Sequence, residues 1–504
     1  MTRLSRYFLL STALLLILTG LSCQTGPVDR WQPLFDGKSL DGWKANELAG
    51  TFRVENGEIV VGGPRSHLFY TGKVNGGEFK NFEFETEVLT KPGANSGVYF
   101  HTGYQDEGWP AKGFEVQVNN SYVAEGSYQE RKMTGSLYGV RNQYKSIVKD
   151  DAWFKLNIRV EDRRVQIRVN DVLTADYVEP LPLVDQPGDA AGRVLGRGTF
   201  ALQGHDPGST IHYRNLRVRV LPDTLKTPKE QVPMADETYR SLLRMNRDNY
   251  PAVDFHTHLK GTLTLEQALE KSRRDGIYLG IAVNGGKGFP IESDEGVLKF
   301  RKEMEGQPIF IAMQAEGREW VDLFTPEAAA QFDYVFTDSM TWSDDNGKRM
   351  RLWIKDEVGE IQDPQKFMDT LVKRAEGILR NEPIDIYVNP TFLPEQIAKD
   401  YDALWTEPRM RRVIAAAKES KVAIEINNRY KIPSQRFLQI AKDEGVLFTC
   451  GTNNGGEEDL GRMEYCLEMI DKLDLKWENF WVPGVYGEKA VLRKAWPGKT
   501  AASK

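Results

Sequence analysis

Cysteine and histidine are scarce in this chain: the 504 residues include only three Cys and six His. Three cysteines exclude a disulfide framework, and Cys450 and Cys466 are expected to be free thiols. So few imidazoles limit how many metal ions histidine can hold. A strongly basic stretch is also missing ahead of the C-terminal tail. Lys+Arg 66 against Asp+Glu 72 gives a formal net charge of −6, which excludes nucleic acid as the main partner. Beyond the N-terminus, no apolar run is long enough to cross a bilayer. What is present is ordinary globular usage, 40% hydrophobic and 27% charged, which excludes a disordered or fibrous chain. The length implies several domains, and 45 Gly, 23 Phe and 19 Tyr lean toward turns and strands.

Residues 1–23 read as an export signal. Arg3 and Arg6 precede an apolar run from Tyr7 to Leu18, and small residues lead to Cys23. That order resembles a bacterial lipoprotein, although Gly20 stands where the usual lipobox has Leu. The resemblance implies lipidation at Cys23, export to the cell envelope and a lipid membrane as partner. An ordinary cleaved signal is the alternative.

From Trp31 to Leu221 short alternating runs are bounded by Gly, Asn and Asp. Phe82, Phe84, Thr86 and Val88 alternate with Glu83, Glu85 and Glu87, the signature of a strand with one wet face. Asn56-Gly57 between two such runs marks a hairpin, and Phe154–Val160 with Val165–Val169 forms another. The spacing predicts an antiparallel sandwich or jelly roll. Period two then gathers polar groups on one face: Glu115 and Gln117, Tyr99 and His101, Gln203 and His205. Such a face suits a sugar, or is merely solvated.

Leu34-Phe35-Asp36-Gly37-Lys38-Ser39-Leu40-Asp41-Gly42-Trp43, Asn95-Ser96-Gly97-Val98-Tyr99-Phe100, Gly113-Phe114-Glu115-Val116-Gln117-Val118, Leu137-Tyr138-Gly139 and Tyr213-Arg214-Asn215-Leu216 occur in the order of the 3-keto-disaccharide hydrolase domain family, which residues 31–221 resemble. The resemblance implies a concanavalin-like jelly-roll sandwich acting on carbohydrate, with Glu115 as the matched acid. Glu115 with His101 or His205 can enolise a sugar beside its ketone, or these groups can hold a metal. Asn95, Tyr99, Gln117, Tyr138 and Gln203 are the expected sugar contacts.

Residues 222–248 are polar and carry Pro222, Pro228 and Pro233, so a linker is expected there. From 249 to 485 short apolar runs alternate with amphipathic stretches. Strands are expected at Ala252–His256, Tyr278–Val283, Ile309–Gln314, Tyr334–Thr337, Ile384–Val388, Val422–Ile426 and Val446–Cys450, which predicts a parallel α/β barrel. Polar residues recur at the strand ends: His256 and His258, Asn284, Glu316, Asp338, Asn389, Glu425 with Asn427, and Asn453. His256-Thr257-His258 puts two rings on one side of a strand, a spacing that suits a shared metal ion.

The HxH on the first strand resembles the PHP family of metal-dependent phosphoesterases, whose barrel has seven strands. Asn284, Asn389-Pro390 and Asn453-Asn454 replace that family's later histidines. The resemblance therefore implies at most one divalent metal ion, held by His256, His258 and an acid such as Glu316 or Asp338, or a barrel that has lost its metal. Gly285-Gly286-Lys287-Gly288 can cradle an anion or form a mobile loop. Trp342, Trp353, Phe392 and Trp405 can line a sugar platform or pack beneath loops. Residues 486–504 are expected to be a frayed tail. Together these features describe an exported glycan-processing hydrolase with a second, metal-dependent barrel and a carbohydrate substrate. The rivals are a carbohydrate-binding module fused to a phosphoesterase, and a non-catalytic surface glycan-binding lipoprotein.

Overall fold

A computed structural model describes residues 30–122, 124–125, 128–343 and 349–497. Cys23 and the rest of the expected export signal lie outside the described residues.

Two antiparallel sheets form the first half. The eight-stranded sheet runs in the order Val172–Val178, Arg164–Val169, Phe154–Glu161, Phe82–Thr90, Ile211–Val220, Glu58–Val61 and Phe52–Glu55, with Trp31–Pro33 also pairing Ile211–Val220. The five-stranded sheet runs Trp43–Ala45, Ser66–Tyr70, Thr199–Gly204, Asn95–Thr102 and Phe114–Asn119. Between them lies a core that includes Phe82, Phe84, Val98, Phe100, Phe114, Val116, Phe200 and Leu202. Alternation was a good guide: along Phe82–Thr90 every second residue is buried. The glutamates between them face water and pair with arginines of neighbouring strands, Glu83 with Arg159 and Arg219, Glu85 with Arg217, and Glu87 with Arg214. Asn56 and Gly57 both take positive φ (51° and 85°), as the tight turn between Phe52–Glu55 and Glu58–Val61 requires.

The second half is a parallel seven-stranded sheet in strict chain order: Val253–Thr257, Tyr278–Gly285, Phe310–Ala315, Tyr334–Thr337, Ile386–Tyr387, Ala423–Asn427 and Phe448–Gly451. All seven expected strands are present. The last nearly closes on the first, where Asn453 N donates to His256 O at 2.8 Å. Gly451 permits that approach: a Cβ there would lie 2.1 Å from Glu425 Oε1 and 2.8 Å from His256 Cβ. Helices such as Leu265–Asp275, Pro364–Asn381 and Glu407–Ser420 cover the outside, each burying one apolar stripe. Among the described residues no helix is long and apolar enough to cross a membrane.

Three expectations are corrected. Cys450 and Cys466 are not free thiols but a disulfide, with Cα atoms 6.0 Å apart and both side chains buried. Cys450 ends the seventh strand and Cys466 lies in helix Glu464–Leu473, which folds back over the sheet, so a spacing of 16 residues becomes contact. The stretch 222–248 is not only linker: helix Glu237–Arg247 is capped by Asp236 and buries Leu242, Leu243 and Met245. The described part of the tail is docked rather than frayed. Lys489 Nζ donates to Ala330 O and Phe332 O, and Trp496 packs edge-on to Trp320 while its indole N–H donates to Val321 O.

The halves are joined by more than the chain. Arg131, 1% exposed, donates from the sandwich to Trp477 O, Phe480 O and Tyr486 Oη at 3.1, 3.1 and 2.7 Å. Arg141 donates to Arg273 O and Arg274 O, capping the C-terminal end of helix Leu265–Asp275 with a cation where the helix dipole is negative. Tyr144 enters the aromatic layer inside the barrel with Phe255, Tyr278, Phe310 and Tyr334. The sandwich thus packs against the amino-terminal end of the barrel, and the polar strand ends face the opposite, carboxyl-terminal mouth.

Candidate functional site

Glu115 lies on Phe114–Asn119 at the edge of the five-stranded sheet. Its neighbours Phe114 and Val116 enter the core, so the carboxylate leaves the opposite face. There it borders a cavity of about 270 Å³ lined by Asn95, Tyr99, Trp109, Gln117, Tyr128, Glu130, Tyr138, Arg193, Gln203 and His205. The Tyr99 hydroxyl donates to Glu115 Oε2 at 2.8 Å and Gln203 Nε2 donates to Oε1 at 2.9 Å. Register sets this up, because Tyr99 pairs directly with Glu115 and Gly97 with Gln117. Gly97 is needed for space: a Cβ there would lie 2.2 Å from Glu115 Oε1. That explains the glycine of Asn95-Ser96-Gly97.

Burial in this aromatic surround pushes the Glu115 carboxyl up to about 7, against the opposing bond from Tyr99 and the charge of Arg193. A carboxyl that exchanges its proton near neutrality suits general acid–base work. Asn95 Oδ1 accepts from Gln117 Nε2 at 3.0 Å, which fixes both amides at the cavity wall. Tyr138 and Tyr128 donate to Glu130 Oε2 at 3.1 and 3.2 Å, and Glu130 in turn faces the Lys132 ammonium, 3.4 Å away and buried with it.

The two histidines expected beside Glu115 part company. His205 lines the cavity, its Nδ1 2.7 Å from Asp206 Oδ2 and its ring against Trp109 and Tyr122. His101 does not reach it. The backbone turns to φ 54° at His101, which swings the ring to Lys80 O and to Gly196 N and packs it on Phe82 and Phe100. Alternation fails there because the register against Thr199–Gly204 shifts, with an extra residue accommodated around His101. Sequence reasoning also missed Trp109, Glu130 and Arg193, which loops deliver, Tyr128 on the short strand Tyr128–Gln129, and His67. His67 is buried against Tyr99 and Trp109, neither ring nitrogen has a hydrogen-bond partner among the described residues, and burial lowers its pKa to about 4. Its register opposite Gln203 was the available signal.

The barrel mouth holds a second cavity of about 270 Å³, lined by His258, Lys260, Asn284, Phe289, Gln314, Glu316, Asp338, Met340, Trp353, Asn389, Arg429, Tyr430 and Asn453. Asn284, Asn389 and Asn453 stand where expected. Glu425 and Asn427 do not line it; they are buried below, where Glu425 Oε2 accepts from Asn389 N and from Asn427 Nδ2. Asn284 Nδ2 donates to Glu316 Oε1 at 2.9 Å and Asn389 Nδ2 to Asp338 Oδ2 at 3.0 Å. Burial raises both carboxyls above their ordinary range, and Asp338 raises Glu316 further. Of the four aromatics, Trp342 and Trp405 are packed inside, Phe392 is partly buried, and Trp353 is 45% exposed at the mouth. In the glycine loop, Gly286 passes so close to Glu316 that a Cβ would lie 2.3 Å from its carbonyl oxygen, a packing role.

The donor set does not fit a resident metal ion. His256 Nδ1 lies 2.7 Å from Glu425 Oε1 and Nε2 lies 3.2 Å from Gln314 Oε1, so both nitrogens are already engaged within the barrel. His258 turns Nδ1 to Ala282 O. Among the described residues no three His, Cys, Asp or Glu side chains converge to hold an ion. His256, His258, Glu316 and Asp338 are therefore neighbours at one end of the barrel without being a ligand cluster.

Residues 30–219 match the 3-keto-alpha-glucoside-1,2-lyase-like domain family. The match covers the sandwich, and the barrel lies outside it. No curated protein matches the chain. Among solved structures, a protein provisionally named a glycosyl hydrolase from Parabacteroides distasonis is 20% identical, with 38% of this chain and 94% of that one covered and a TM-score of 0.32. The carbohydrate-binding module CBM66 from Bacillus subtilis is 15% identical, with 35% and 95% covered and a TM-score of 0.24.

Proposed function

We propose that the sandwich cavity cleaves oxidised glycosides, with Glu115 as the acid–base group. The observation that carries this reading is the Glu115 carboxyl itself, pushed up to about 7 inside a cavity of amides and aromatic rings. The match of residues 30–219 to a 3-keto-alpha-glucoside-1,2-lyase-like family supports the substrate class. In a 3-keto glycoside the ketone acidifies the proton on C2. Glu115 takes that proton, the C2–H electrons form a C1–C2 double bond, and the C1–O bond breaks. The departing alcohol oxygen then receives the proton back from Glu115. Addition of water to the double bond completes net hydrolysis. The Tyr99 hydroxyl and Gln203 amide hold the carboxylate in place, and Asn95, Gln117, Tyr138 and His205 face the sugar.

The test is alcohol release from 3-keto and unoxidised disaccharides by purified protein. Glu115→Gln keeps the shape and the bond from Tyr99 but removes the proton acceptor. It should lower kcat by about 10²–10⁴, with an unchanged melting curve. Undiminished turnover in that variant, or sugar binding without turnover in the parent, would refute the assignment.

The N-terminal segment supports a further reading: signal processing leaves Cys23 first in the mature chain, lipidated and anchored on the outer side of a membrane. Fractionation of cells expressing Cys23→Ala should then move the protein from the membrane to the soluble exported fraction.

A further inference from the structure

The mouth of the barrel is more polar than packing requires. Glu316, Asp338, Asn389, His258 and Gln314 are each nearly buried, yet all border the cavity rather than a helix. Side chains there incur desolvation that only hydrogen bonds offset. Their arrangement around the ring is polarised. Lys260 follows the first strand, Arg429 the sixth and Asn453 the seventh, neighbours across the closure of the barrel. Lys260 Nζ donates to Asn453 Oδ1 at 3.1 Å and Arg429 Nη1 to Asn453 O at 2.9 Å. Two cations thus share one amide residue and make no hydrogen bond to a carboxylate among the described residues, with Asp459 and Glu316 acting on Lys260 only through space. Glu316 and Asp338 follow the third and fourth strands, on the far side of the ring. Between the poles stand the amides of Asn284 and Gln314 and the rings of Phe289, Tyr430 and the exposed Trp353.

We propose that the barrel mouth is a second, metal-free ligand site that takes a sugar-sized polyol carrying one anionic group, a carboxylate or a phosphate. The anionic group lies against Lys260 and Arg429, where charge-assisted bonds are strongest. The hydroxyls donate to Glu316 and Asp338 and accept from the amides, and the apolar face of the polyol rests on Trp353. A neutral sugar would leave both cations with only the neutral oxygens of Asn453 as hydrogen-bond partners, and a bare anion would leave the carboxylate pole unused. The cavity is near the lower end of the size range for small-ligand pockets, which suits a single ring.

Isothermal titration of the full chain with glucose, glucuronate, glucose 6-phosphate and inorganic phosphate tests this without requiring turnover, so its outcome is separable from the fate of the Glu115 assignment. Glucuronate or glucose 6-phosphate should bind about tenfold or more tighter than glucose and than inorganic phosphate, and which of the two is tighter identifies the anion. Lys260→Ala and Arg429→Ala should each remove that preference, whereas Arg193→Ala, which takes a cation from the sandwich cavity, should keep it. If either variant fails to fold, Trp353→Ala and the salt dependence of the parent supply the same decision, because affinity for the charged sugar must fall as ions screen the pole. Equal affinity for glucose, loss of binding in Arg193→Ala, phosphate bound as tightly as its sugar ester, or no binding at millimolar concentration would each overturn the proposal.

Discussion

The two cavities have the same volume, about 270 Å³, and both present carboxyl groups, yet they hold them in opposite ways. In the sandwich the carboxyls are kept apart in role: Glu115 meets one phenol and one amide, while Glu130 at the wall is paired with the Lys132 ammonium. In the barrel two carboxyls sit together: Glu316 accepts from Asn284 and Thr341, and Asp338 accepts from Asn389 and from Met340 N. Glu115, beside a Glu130 whose charge Lys132 balances, is free to trade a proton. In the barrel, burial and the charge of Asp338 push Glu316 up to about 8, so the pair holds a proton near neutrality and can both donate to and accept from hydroxyls, which suits their recognition. The difference teaches that carboxylate content alone does not mark the reacting site; the kind of group surrounding the acid does.

The largest effect that can break this contrast is on the pH profile. Glu115 must be ionised to accept a proton, and its pKa stands at about 7, above an ordinary 4.5. Turnover should therefore fall about tenfold per pH unit below about 7 and level off above it. The sign for stability is opposite. A folded-state pKa above the unfolded value means the native sandwich binds the proton more tightly, so this contribution is complete below about 4.5 and is lost as pH rises through about 7. A flat rate profile across that window would remove Glu115 from the chemistry.

Gly97→Ala comes next. The added Cβ would overlap Glu115 Oε1 and force the carboxylate aside. Misplacement by about 1 Å costs roughly 10²-fold in rate, so kcat should fall by that order while the fold persists. The barrel answers to a different perturbation. Its disulfide closes 16 residues of chain, and reduction should cost about 3 kcal/mol by the loop-entropy estimate. Melting followed by calorimetry with and without reductant should show the loss in the barrel transition and none in a sandwich that contains no cysteine.

Period two and strict strand–helix alternation made both architectures readable, because each half buries one face of every element. The site was readable where regular strands carry it: Glu115, Gln117, Tyr99 and Gln203 meet as alternation requires. It failed at His101, where one residue of positive φ reverses the side chain, and at Trp109, Glu130 and Arg193, which arrive on loops with no period. In the barrel, strand ends were found but depth was not. Asn389 borders the mouth while Glu425 and Asn427 lie beneath it, because Asn389 lies past the end of its short strand at φ 47° and the other two are still within theirs. The Cys450–Cys466 bond was missed for a related reason, since spacing does not reveal that a helix returns over the strand it follows.

The smallest expected effect tests whether the two regions are independent at all. Asn249, the residue just before the barrel's first strands, accepts from Lys132 Nζ at 2.9 Å and donates to Gln129 O at 3.0 Å. Lys132 balances Glu130, and Glu130 holds the hydroxyls of Tyr128 and Tyr138 at the wall of the sandwich cavity. The barrel thus supports one side of the sandwich site through a buried ammonium. Asn249 has φ 65°, so Gly rather than Ala is the clean truncation. Asn249→Gly should cost about 1 kcal/mol, roughly fivefold in kcat/KM. A freed Lys132 neutralises Glu130 less completely, and Glu130 already pushes the Glu115 pKa upward, so the midpoint of the pH profile should move higher. Asn249→Asp, which tolerates the same backbone but adds a negative charge that competes with Glu130 for Lys132, should move the midpoint higher still. A uniform loss of activity with no change in midpoint would mean that the barrel contributes only mass to the sandwich, and that the contrast between the two cavities is one of separate sites rather than of coupled ones.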